Sequence, residues 1–210
     1  MDNITPSQYW PEWQQNRINF ILSKFPKDFF KDKTILELAP FNGYIGACFH
    51  LLGAKVHCVE GRQEHVDNIK SNYTFLTAEC KDLDTPYWDL GSYDIIINFG
   101  LYYHLEKYHK EHLINCVNNS SLMFFETVVH DSDEDKIFFR NDGGNDQCLS
   151  DVGGNATTSY IENILKAENV NFHKYTDSSL NSSPHHYDWE DKNSDIHDPY
   201  SRRFWIISSK

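Results

Sequence analysis

The sequence feature that most constrains the fold is a unit of strand, loop, helix and strand patterns in the first third of the chain. Thr34–Leu38 is a short apolar run typical of a buried strand, and turn-forming residues follow it at 39–43. Residues 44–52 carry apolar side chains at helical spacing, and Gly53 stands where a helix would end. A second apolar strand follows at 54–59. Parallel strands need such a crossover, so the sequence predicts an open α/β sheet with the first loop at its carboxyl edge.

Two acidic residues occupy positions in this unit that suit a nucleoside ligand. Glu60 directly follows the second strand, 23 positions after Glu37. A carboxylate about 20 residues beyond the first strand can bond the ribose hydroxyls of a ligand at this edge. Glu60 is therefore a candidate ribose-binding residue. An ordinary crossover without a ligand has the same pattern, and this stretch alone leaves that alternative open.

The loop between the first strand and the helix resembles the first motif of the class I S-adenosylmethionine-dependent methyltransferases. That family often has acid-x-Gly-x-Gly-x-Gly before the helix. Here the acid is Glu37 and the last glycine is Gly43. Ala39 and Phe41 occupy the other two glycine positions, so the match is partial. The resemblance implies that Glu37 and this loop bind S-adenosylmethionine, with the backbone of residues 39–43 at its methionine end and Glu60 at its ribose. The ring of Phe41 must then point away from the ligand or cover it.

The resemblance also implies a residue for the adenine. Residues 75–78 resemble a short third strand, and Asp82 follows it. In these methyltransferases an acidic residue after the third strand often bonds the adenine amino group, which implies that role for Asp82, with Asp84 in reserve. A carboxylate suits an N–H donor in a partly dry pocket. A solvated loop aspartate remains the alternative.

Residues 93–99 form the clearest strand pattern, a near-continuous apolar run typical of a strand buried on both faces. The segment FGLYYHL at its end resembles the corresponding segment of small-molecule methyltransferases. It also resembles the Gly-x-Leu-Tyr-His segment of the transferase that carboxymethylates wobble uridine in tRNA. The resemblance implies cofactor contacts at Asn98 and Gly100, and a cofactor pocket lined by Tyr103 and His104. These last two are the candidate catalytic residues, with His104 a general base. A histidine that caps the next helix is the alternative.

The remaining patterns predict one domain over residues 1–210. We expect a Rossmann-like three-layer α/β sandwich with a mostly parallel seven-stranded sheet and an antiparallel C-terminal strand. An N-terminal arm and helix occupy residues 1–33, and residues 130–156 and 176–200 are inserted loops or a lid. The candidate acceptor-binding residues are Arg140, Arg202 and Tyr187.

Two further element predictions bear on the site. Residues 16–25 have helical spacing of apolar side chains, and Pro26 ends the helix. Residues 121–129 are predicted as a fifth strand whose apolar run Glu126 interrupts. A carboxylate within a central strand is costly unless it is paired. Glu126 therefore points to the site, ends the strand pairing or lies at the rim of a shorter strand.

Composition and sequence patterns argue against several classes of protein. The formal net charge of −12 disfavours nucleic acid as a partner, because nucleic-acid-binding proteins usually carry a basic surface. No apolar run of 18 residues predicts a membrane span, and the N-terminal sequence lacks a secretory pattern. The five cysteines are scattered without a CxxC pair, which is typical of reduced, mostly buried thiols. We therefore expect a cytoplasmic protein without membrane association.

Two clusters contain residue types that bind metals, but neither has the spacing of a common site. The acidic cluster lacks the glycine and the distal glutamate of a calcium loop. The histidine cluster matches no common zinc or iron signature. The sequence therefore predicts no metal site. The two clusters comprise Asp131, Asp133, Glu134 and Asp135, and His185, His186, Asp188 and His197.

These features predict methyl transfer from S-adenosylmethionine to a small-molecule acceptor. A tRNA-modifying carboxymethyltransferase is an alternative that the acidic composition disfavours. A nucleoside-binding protein of the same fold without turnover is another, since the first loop departs from the glycine pattern. An NAD-dependent oxidoreductase is weaker, because Gly43 and Gly46 alone are a poor match to its glycine fingerprint. The oligomeric state is not determined by these patterns.

Overall fold

The structure is a computed structural model that describes residues 9–142, 148–182 and 200–209. The helices are α1 Tyr9–Lys24, α2 Tyr44–Leu51, α3 Gln63–Asn72, α4 His109–Asn118 and α5 Thr158–Ala167. The strands are β1 Thr34–Leu38, β2 Lys55–Glu60, β3 Thr77–Cys80, β4 Tyr93–Phe99, β5 Ser120–His130, β6 Ile137–Asn141, β7 Val152–Ala156, β8 Asn171–Tyr175 and β9 Tyr200–Ser208. Short 3-10 helices lie at Lys27–Phe30, Tyr102–His104 and Ser178–Leu180.

Seven strands form one sheet in the order β3-β2-β1-β4-β5-β9-β8. The pairs from β3 to β5 are parallel, whereas β9 runs antiparallel to both β5 and β8. The prediction of a mostly parallel seven-stranded sheet with an antiparallel C-terminal strand is therefore confirmed. The remaining two strands, β6 and β7, form a separate antiparallel pair within the segment predicted as an insertion.

The sheet separates two apolar layers, which confirms the three-layer sandwich. Helices α1, α2 and α3 pack on one face, and α4 and α5 pack on the other. Strand β4 shows how the sequence specifies this. Ile95 and Ile97 belong to the first layer and Ile96 to the second, and each is at most 1% exposed. Since side chains alternate along a strand, a continuous apolar run serves both faces.

Helix α1 begins seven residues before the start predicted from apolar spacing, at Tyr9 rather than at residue 16. The predicted start was therefore wrong. Pro11 falls in the first turn of the helix, where the backbone N–H groups have no partner within the helix. The early start brings Trp13 and Gln14 into helical backbone close to the sheet edge.

Strand β3 also differs from its predicted bounds, since it spans Thr77–Cys80 rather than residues 75–78. Pairing with β2 sets its position, with His57 opposite Thr77 and Glu60 opposite Cys80. Phe75, assigned to the strand from its apolar character, is instead 45% exposed and stacks on the His50 ring at 4.5 Å.

All five cysteines are free thiols, as the sequence predicts: three are buried, one is half-buried and Cys80 is exposed. In the described part of the chain, no helix combines the length and the apolar character needed to cross a membrane.

Candidate functional site

A cavity of about 760 Å³ opens at the carboxyl ends of the central parallel strands. Its wall comes from the loops after β1, β2, β3 and β4, with further residues from α1, from β9 and from the chain between β6 and β7. The strand order reverses between β1 and β4, which is where open α/β sheets bind ligands. The residues singled out in the sequence that line this cavity are Glu37, Ala39, Phe41, Glu60, Asp82, Asp84, Gly100, Tyr103, His104 and Arg202.

The loop after β1 keeps the backbone path of a glycine-rich loop although two of its residues carry side chains. Ala39, Phe41 and Gly43 all have left-handed backbone, with φ of 49°, 55° and 74°. This conformation costs a non-glycine residue about 1–2 kcal/mol, so the surrounding structure must hold the loop in place. A Cβ on Gly43 would lie 3.1 Å from the side chain of Ile69. Gly43 therefore faces α3 and shapes the loop without lining the cavity.

The carboxylate of Glu60 is oriented by backbone donors at the end of β2. The residue is only 7% exposed, and Oε2 accepts the N–H of Phe41 at 3.1 Å. Oε1 accepts the N–H of Arg62 at 3.3 Å and lies 3.6 Å from Nδ1 of His65. The Phe41 ring packs edge-on against the His65 ring, with centroids 4.9 Å apart. Loop and carboxylate are thereby fixed to each other at the cavity wall.

Glu37 lies deeper and is held differently. It is 3% exposed, and burial raises the pKa of its carboxyl to about 8, although hydrogen bonds from the Gly46 N–H and the Cys58 thiol act in the opposite direction. A Cβ on Gly46 would lie 2.4 Å from Oε2 of Glu37. The first turn of α2 therefore needs a glycine at this position so that the helix can approach the buried carboxyl group.

The two aspartates after β3 have separate roles in the structure. Asp84 accepts the backbone N–H groups of Glu106, Lys107 and Tyr108, at 2.9 to 3.2 Å, and so fixes the chain before α4. Asp82 is exposed, lines the cavity and accepts only the N–H of Asp84 among the described residues, at 2.9 Å. Both aspartates line the cavity, but the Asp84 carboxylate already accepts three backbone N–H groups, so Asp82 is the better candidate for an adenine contact.

Asn98 lies outside the cavity. Its neighbours Ile97 and Phe99 line the cavity, so the alternation along β4 turns Asn98 to the opposite face of the sheet. There it is fully buried, and its Nδ2 donates to Nε2 of His112 at 2.9 Å. In this geometry Asn98 is not in a position to contact a cofactor in the cavity. The family resemblance identified the segment, but it did not indicate which side chains of the strand face the cavity.

A buried ion-pair network closes the side of the cavity next to α1. Glu126 is fully buried in β5, and Nε of Arg17 donates to its Oε2 at 2.7 Å while Arg202 donates to Oε1. Burial alone raises the pKa of Glu126, but the two arginines hold it below its ordinary value. Glu126 therefore neither ends the strand pairing nor lies at the rim of a shorter strand. It lies within the continuous strand β5, its charge is paired, and it is not among the residues that line the cavity. Arg202 also donates to the Tyr103 hydroxyl at 3.3 Å, and the Arg17 guanidinium lies 3.6 Å from the Trp13 ring centroid.

His104 belongs to a second cluster, on the side of the cavity next to β6 and β7. Its Nδ1 lies 2.6 Å from Oδ2 of Asp142, so Nδ1 carries the proton that this carboxylate accepts. The Cys148 thiol donates to the same oxygen at 2.8 Å. Burial raises the pKa of Asp142, but His104, Cys148 and Arg140 together hold it well below its ordinary value. His104 also lines the cavity, and in the described residues its Nε2 makes no hydrogen bond.

Arg140 takes part in this cluster and is not among the residues that line the cavity. It donates to Oδ1 of Asp142, and its Nε donates to Asn155 Oδ1 at 2.8 Å.

Patterns in the sequence did not identify Asp142 or Cys148 as site residues. The available signal was Gly153 in β7, where a Cβ would lie 2.6 Å from the Tyr103 carbonyl oxygen. A glycine inside a strand often marks such a close approach.

The sequence matches no protein-family model and no curated protein. The fold, in contrast, matches solved structures along nearly its whole length. The N-terminal domain of EvdMO1, crystallised in the presence of SAH and D-fucose, has a TM-score of 0.69 at 15% identity, covering 97% of this chain and 85% of that chain. An S-adenosylmethionine-dependent methyltransferase from Clostridium acetobutylicum ATCC 824 has a TM-score of 0.62 at 12% identity, with 95% and 92% covered. The chain has the class I methyltransferase fold.

A third structure of this methyltransferase fold is magnesium protoporphyrin IX methyltransferase (ChlM) from Synechocystis PCC 6803 with bound SAM. It has a TM-score of 0.62 at 11% identity, covering 95% of this chain and 81% of that chain. The structure describes every predicted site residue except Tyr187. Tyr187 and the histidine cluster that contains His185, His186 and His197 lie outside the described residues.

Proposed function

We propose that the protein transfers the methyl group of S-adenosylmethionine to a small-molecule acceptor. Structures of the same fold were crystallised with SAH or with SAM, which supports this cofactor. A volume of about 760 Å³ lies in the range of pockets that hold molecules of that size. The observation that carries the proposal is the buried Glu60 carboxylate, pinned by the Phe41 N–H at the edge of the cavity.

The proposed cofactor contacts follow the order of the sheet. Glu60 accepts hydrogen bonds from the ribose diol, and Asp82 accepts the adenine amino group. Glu37 and the backbone of the strained loop at 39–43 hold the methionine end. Gly43 supports that loop from outside the cavity, and Asn98, which faces α4, has no part in this proposal.

The acceptor occupies the remaining part of the cavity, beside Tyr103, His104 and Arg202. When bound, S-adenosylmethionine supplies an electrophilic methyl group, and the main task of the protein is to align the acceptor with it. His104 accepts the acceptor proton at Nε2 as the new bond forms, while Asp142 holds Nδ1–H and so fixes the ring. Arg140 acts indirectly, through Asp142. Tyr187 remains a predicted acceptor contact.

A small molecule is the acceptor that the charge supports. The formal net charge of −12 works against binding to a polyanion such as tRNA. Helix α1 and the 148–150 segment also form part of the cavity wall. Leu149 packs closely against Gly61, since a Cβ added to Gly61 would lie 2.9 Å from its side chain. That enclosure suits a compact acceptor better than a macromolecule.

Calorimetry with SAM, SAH and NAD tests the ligand class, and Glu60→Ala tests the central contact. We expect SAM and SAH to bind and NAD not to bind. Removal of the carboxylate should weaken the binding free energy of SAM and of SAH by about 1.5–3 kcal/mol, the usual contribution of charge-assisted hydrogen bonds. Glu64→Ala, an exposed acid on α3, is the matched control and leaves affinity unchanged. Equal affinity of Glu60→Ala and wild type would contradict the ribose assignment.

A further inference from the structure

Three side chains with metal-binding atoms converge beside the cavity. Nδ1 of His104, Oδ2 of Asp142 and Sγ of Cys148 all lie within 4.8 Å of one another. The separations are 2.6 Å from nitrogen to oxygen, 2.8 Å from oxygen to sulfur and 3.5 Å from sulfur to nitrogen. The side chains of His104 and Asp142 are 19% and 5% exposed, and Cys148 is 2% exposed. The three groups are therefore fixed by packing rather than free at the surface.

We propose that these three atoms form a binding site for a divalent cation of the zinc class. Imidazole nitrogen, carboxylate oxygen and thiolate sulfur are the donor types that zinc binds, whereas magnesium and calcium prefer oxygen donors alone. Donors of this kind lie about 2.0–2.3 Å from zinc, which places tetrahedral donor atoms roughly 3.3–3.7 Å apart. The sulfur–nitrogen separation already fits. The other two separations need to open by less than about 1 Å.

The surroundings of the cluster have the features of a supported metal site. Arg140 holds the second oxygen of Asp142 and is itself held by Asn155, which fixes the carboxylate as outer partners of metal ligands do. Gly153 gives the donors room, because a Cβ there would lie 3.0 Å from both Oδ2 of Asp142 and Sγ of Cys148. His104 and Cys148 line the cavity, so a three-ligand metal has an open fourth position towards it.

Metal binding requires a defined change in protonation. The Cys148 thiol loses its proton to solvent, and the proton of the neutral His104 ring moves from Nδ1 to Nε2 through solvent. The carboxylate of Asp142 exchanges its two hydrogen bonds for the metal. On the proposed function, Nε2 is the atom that takes the acceptor proton. A metal at Nδ1 leaves Nε2 protonated, so occupancy of this site inhibits methyl transfer.

Cobalt spectroscopy tests the site without any cofactor or acceptor. Co²⁺ added to the reduced, metal-free protein should give the visible bands of a tetrahedral ion and a near-ultraviolet thiolate-to-cobalt band, saturating at one ion per chain. Cys148→Ser abolishes the thiolate band, and Asp142→Asn weakens binding at least tenfold. Cys80→Ser, which removes the exposed thiol, is the matched control and keeps both bands. Zn²⁺ displaces Co²⁺ from wild type and from the control.

Two results overturn the site: no thiolate band in wild type, or a band that persists in Cys148→Ser but disappears in Cys80→Ser. Circular dichroism identifies a variant that fails to fold, and the wild-type titration with Zn²⁺ competition still decides the proposal in that case. Calorimetry with SAM is independent of these bands, so failure of the methyltransferase proposal is distinguishable from failure of the metal site. In turnover assays, Zn²⁺ should inhibit wild type and a chelator should restore it. Full turnover with the site loaded overturns the inhibitory consequence.

Discussion

At the scale of single residues, the two glutamates of the first unit are held in opposite ways. Glu60 accepts two backbone N–H groups and lies where the wall is polar. Glu37 is enclosed by α2 and β2, and burial raises its pKa to about 8. Both lie at the carboxyl edge of one sheet, but Glu37 is the more enclosed, and its burial favours the protonated form near neutral pH. Because burial is the main cause of this shift, the pKa of Glu37 depends on whether water reaches the inner end of the cavity.

We predict that Glu37→Gln changes how stability depends on pH. Between the ordinary pKa of 4.5 and about 8, the folded state holds the proton that the unfolded state has released. Wild type therefore loses about 1.4 kcal/mol of unfolding free energy per pH unit through this group as pH rises across that interval, and the loss ends above it. Glutamine removes this contribution. Urea denaturation at pH 5, 6.5 and 8 measures it, with the exposed Glu64→Gln as control. A constant difference between Glu37→Gln and wild type across this range would show that the carboxyl group is not buried as described.

His104 supports a second prediction at this scale. His104→Ala should lower turnover by about 10²–10⁴-fold, the usual contribution of a positioned general base, while SAM affinity stays near that of wild type. Steady-state kinetics and calorimetry on the same preparation separate the two effects. His173→Ala, an exposed histidine on β8, is the control and keeps full turnover. If His104→Ala turns over as fast as the control, His104 is only a structural residue.

At the scale of elements, one buried carboxylate joins three parts of the chain. Glu126 in β5 is paired with Arg17 from α1 and Arg202 from β9. The pairing satisfies a charge that would otherwise be costly inside the sheet. It also sets α1 against the cavity, so that Trp13 and Gln14 form part of the wall. Gln14 continues the contact by donating to Asn42 at 2.8 Å, in the loop that precedes α2.

We predict that Arg17→Ala lowers the free energy of unfolding by about 3 kcal/mol or more, because the fully buried Glu126 carboxylate then lacks one of its two arginine partners. Lys33→Ala is the matched control. It removes a half-exposed pair with Asp94, at 3.2 Å, and should cost about 1 kcal/mol or less. Urea denaturation of the two variants gives the comparison. Equal losses would mean that the buried pair contributes no more than a surface pair.

At the scale of the whole molecule, the cavity is assembled from most of the chain. Its wall uses α1, the loops after four parallel strands, the chain between β6 and β7, and β9. A ligand that fills it therefore contacts segments from both ends of the sequence. Such a ligand stabilises the folded state as a whole, because the site does not exist in the unfolded chain.

We predict that SAH raises the melting temperature by roughly 5–10 °C at a concentration about 100 times its dissociation constant. Binding at that level adds about 2.7 kcal/mol, and a chain of this length gains roughly 2–4 °C per kcal/mol. Differential scanning fluorimetry measures the shift. NAD should give no shift, and Glu60→Ala should give a smaller one at the same SAH concentration. A shift with NAD that matches the shift with SAH would point to a different nucleotide ligand.

The sequence by itself determined the central elements of the sheet. The apolar runs of β1, β2 and β4 and the helical spacing of α2 are local patterns, and local patterns suffice where each strand is buried on both faces. The acidic positions at 37, 60 and 82 could also be placed, because the carboxyl ends of parallel strands meet at one edge. The bounds of β3 could not be predicted in this way, because pairing with β2 sets them rather than the propensity of the residues themselves.

Only the tertiary structure decided which side chains share the cavity. Whether Asn98 faced it depended on the phase of β4 against its neighbours, and a continuous apolar run carries no information about that phase. Asp142 and Cys148 come together with His104 because β6 and β7 fold back over the chain after β4. Contacts between residues about 40 positions apart depend on packing of the whole domain, so no pattern within one segment specifies them. Local periodicity in the sequence was therefore enough to predict the fold, whereas the cluster of His104, Asp142 and Cys148 depends on long-range packing.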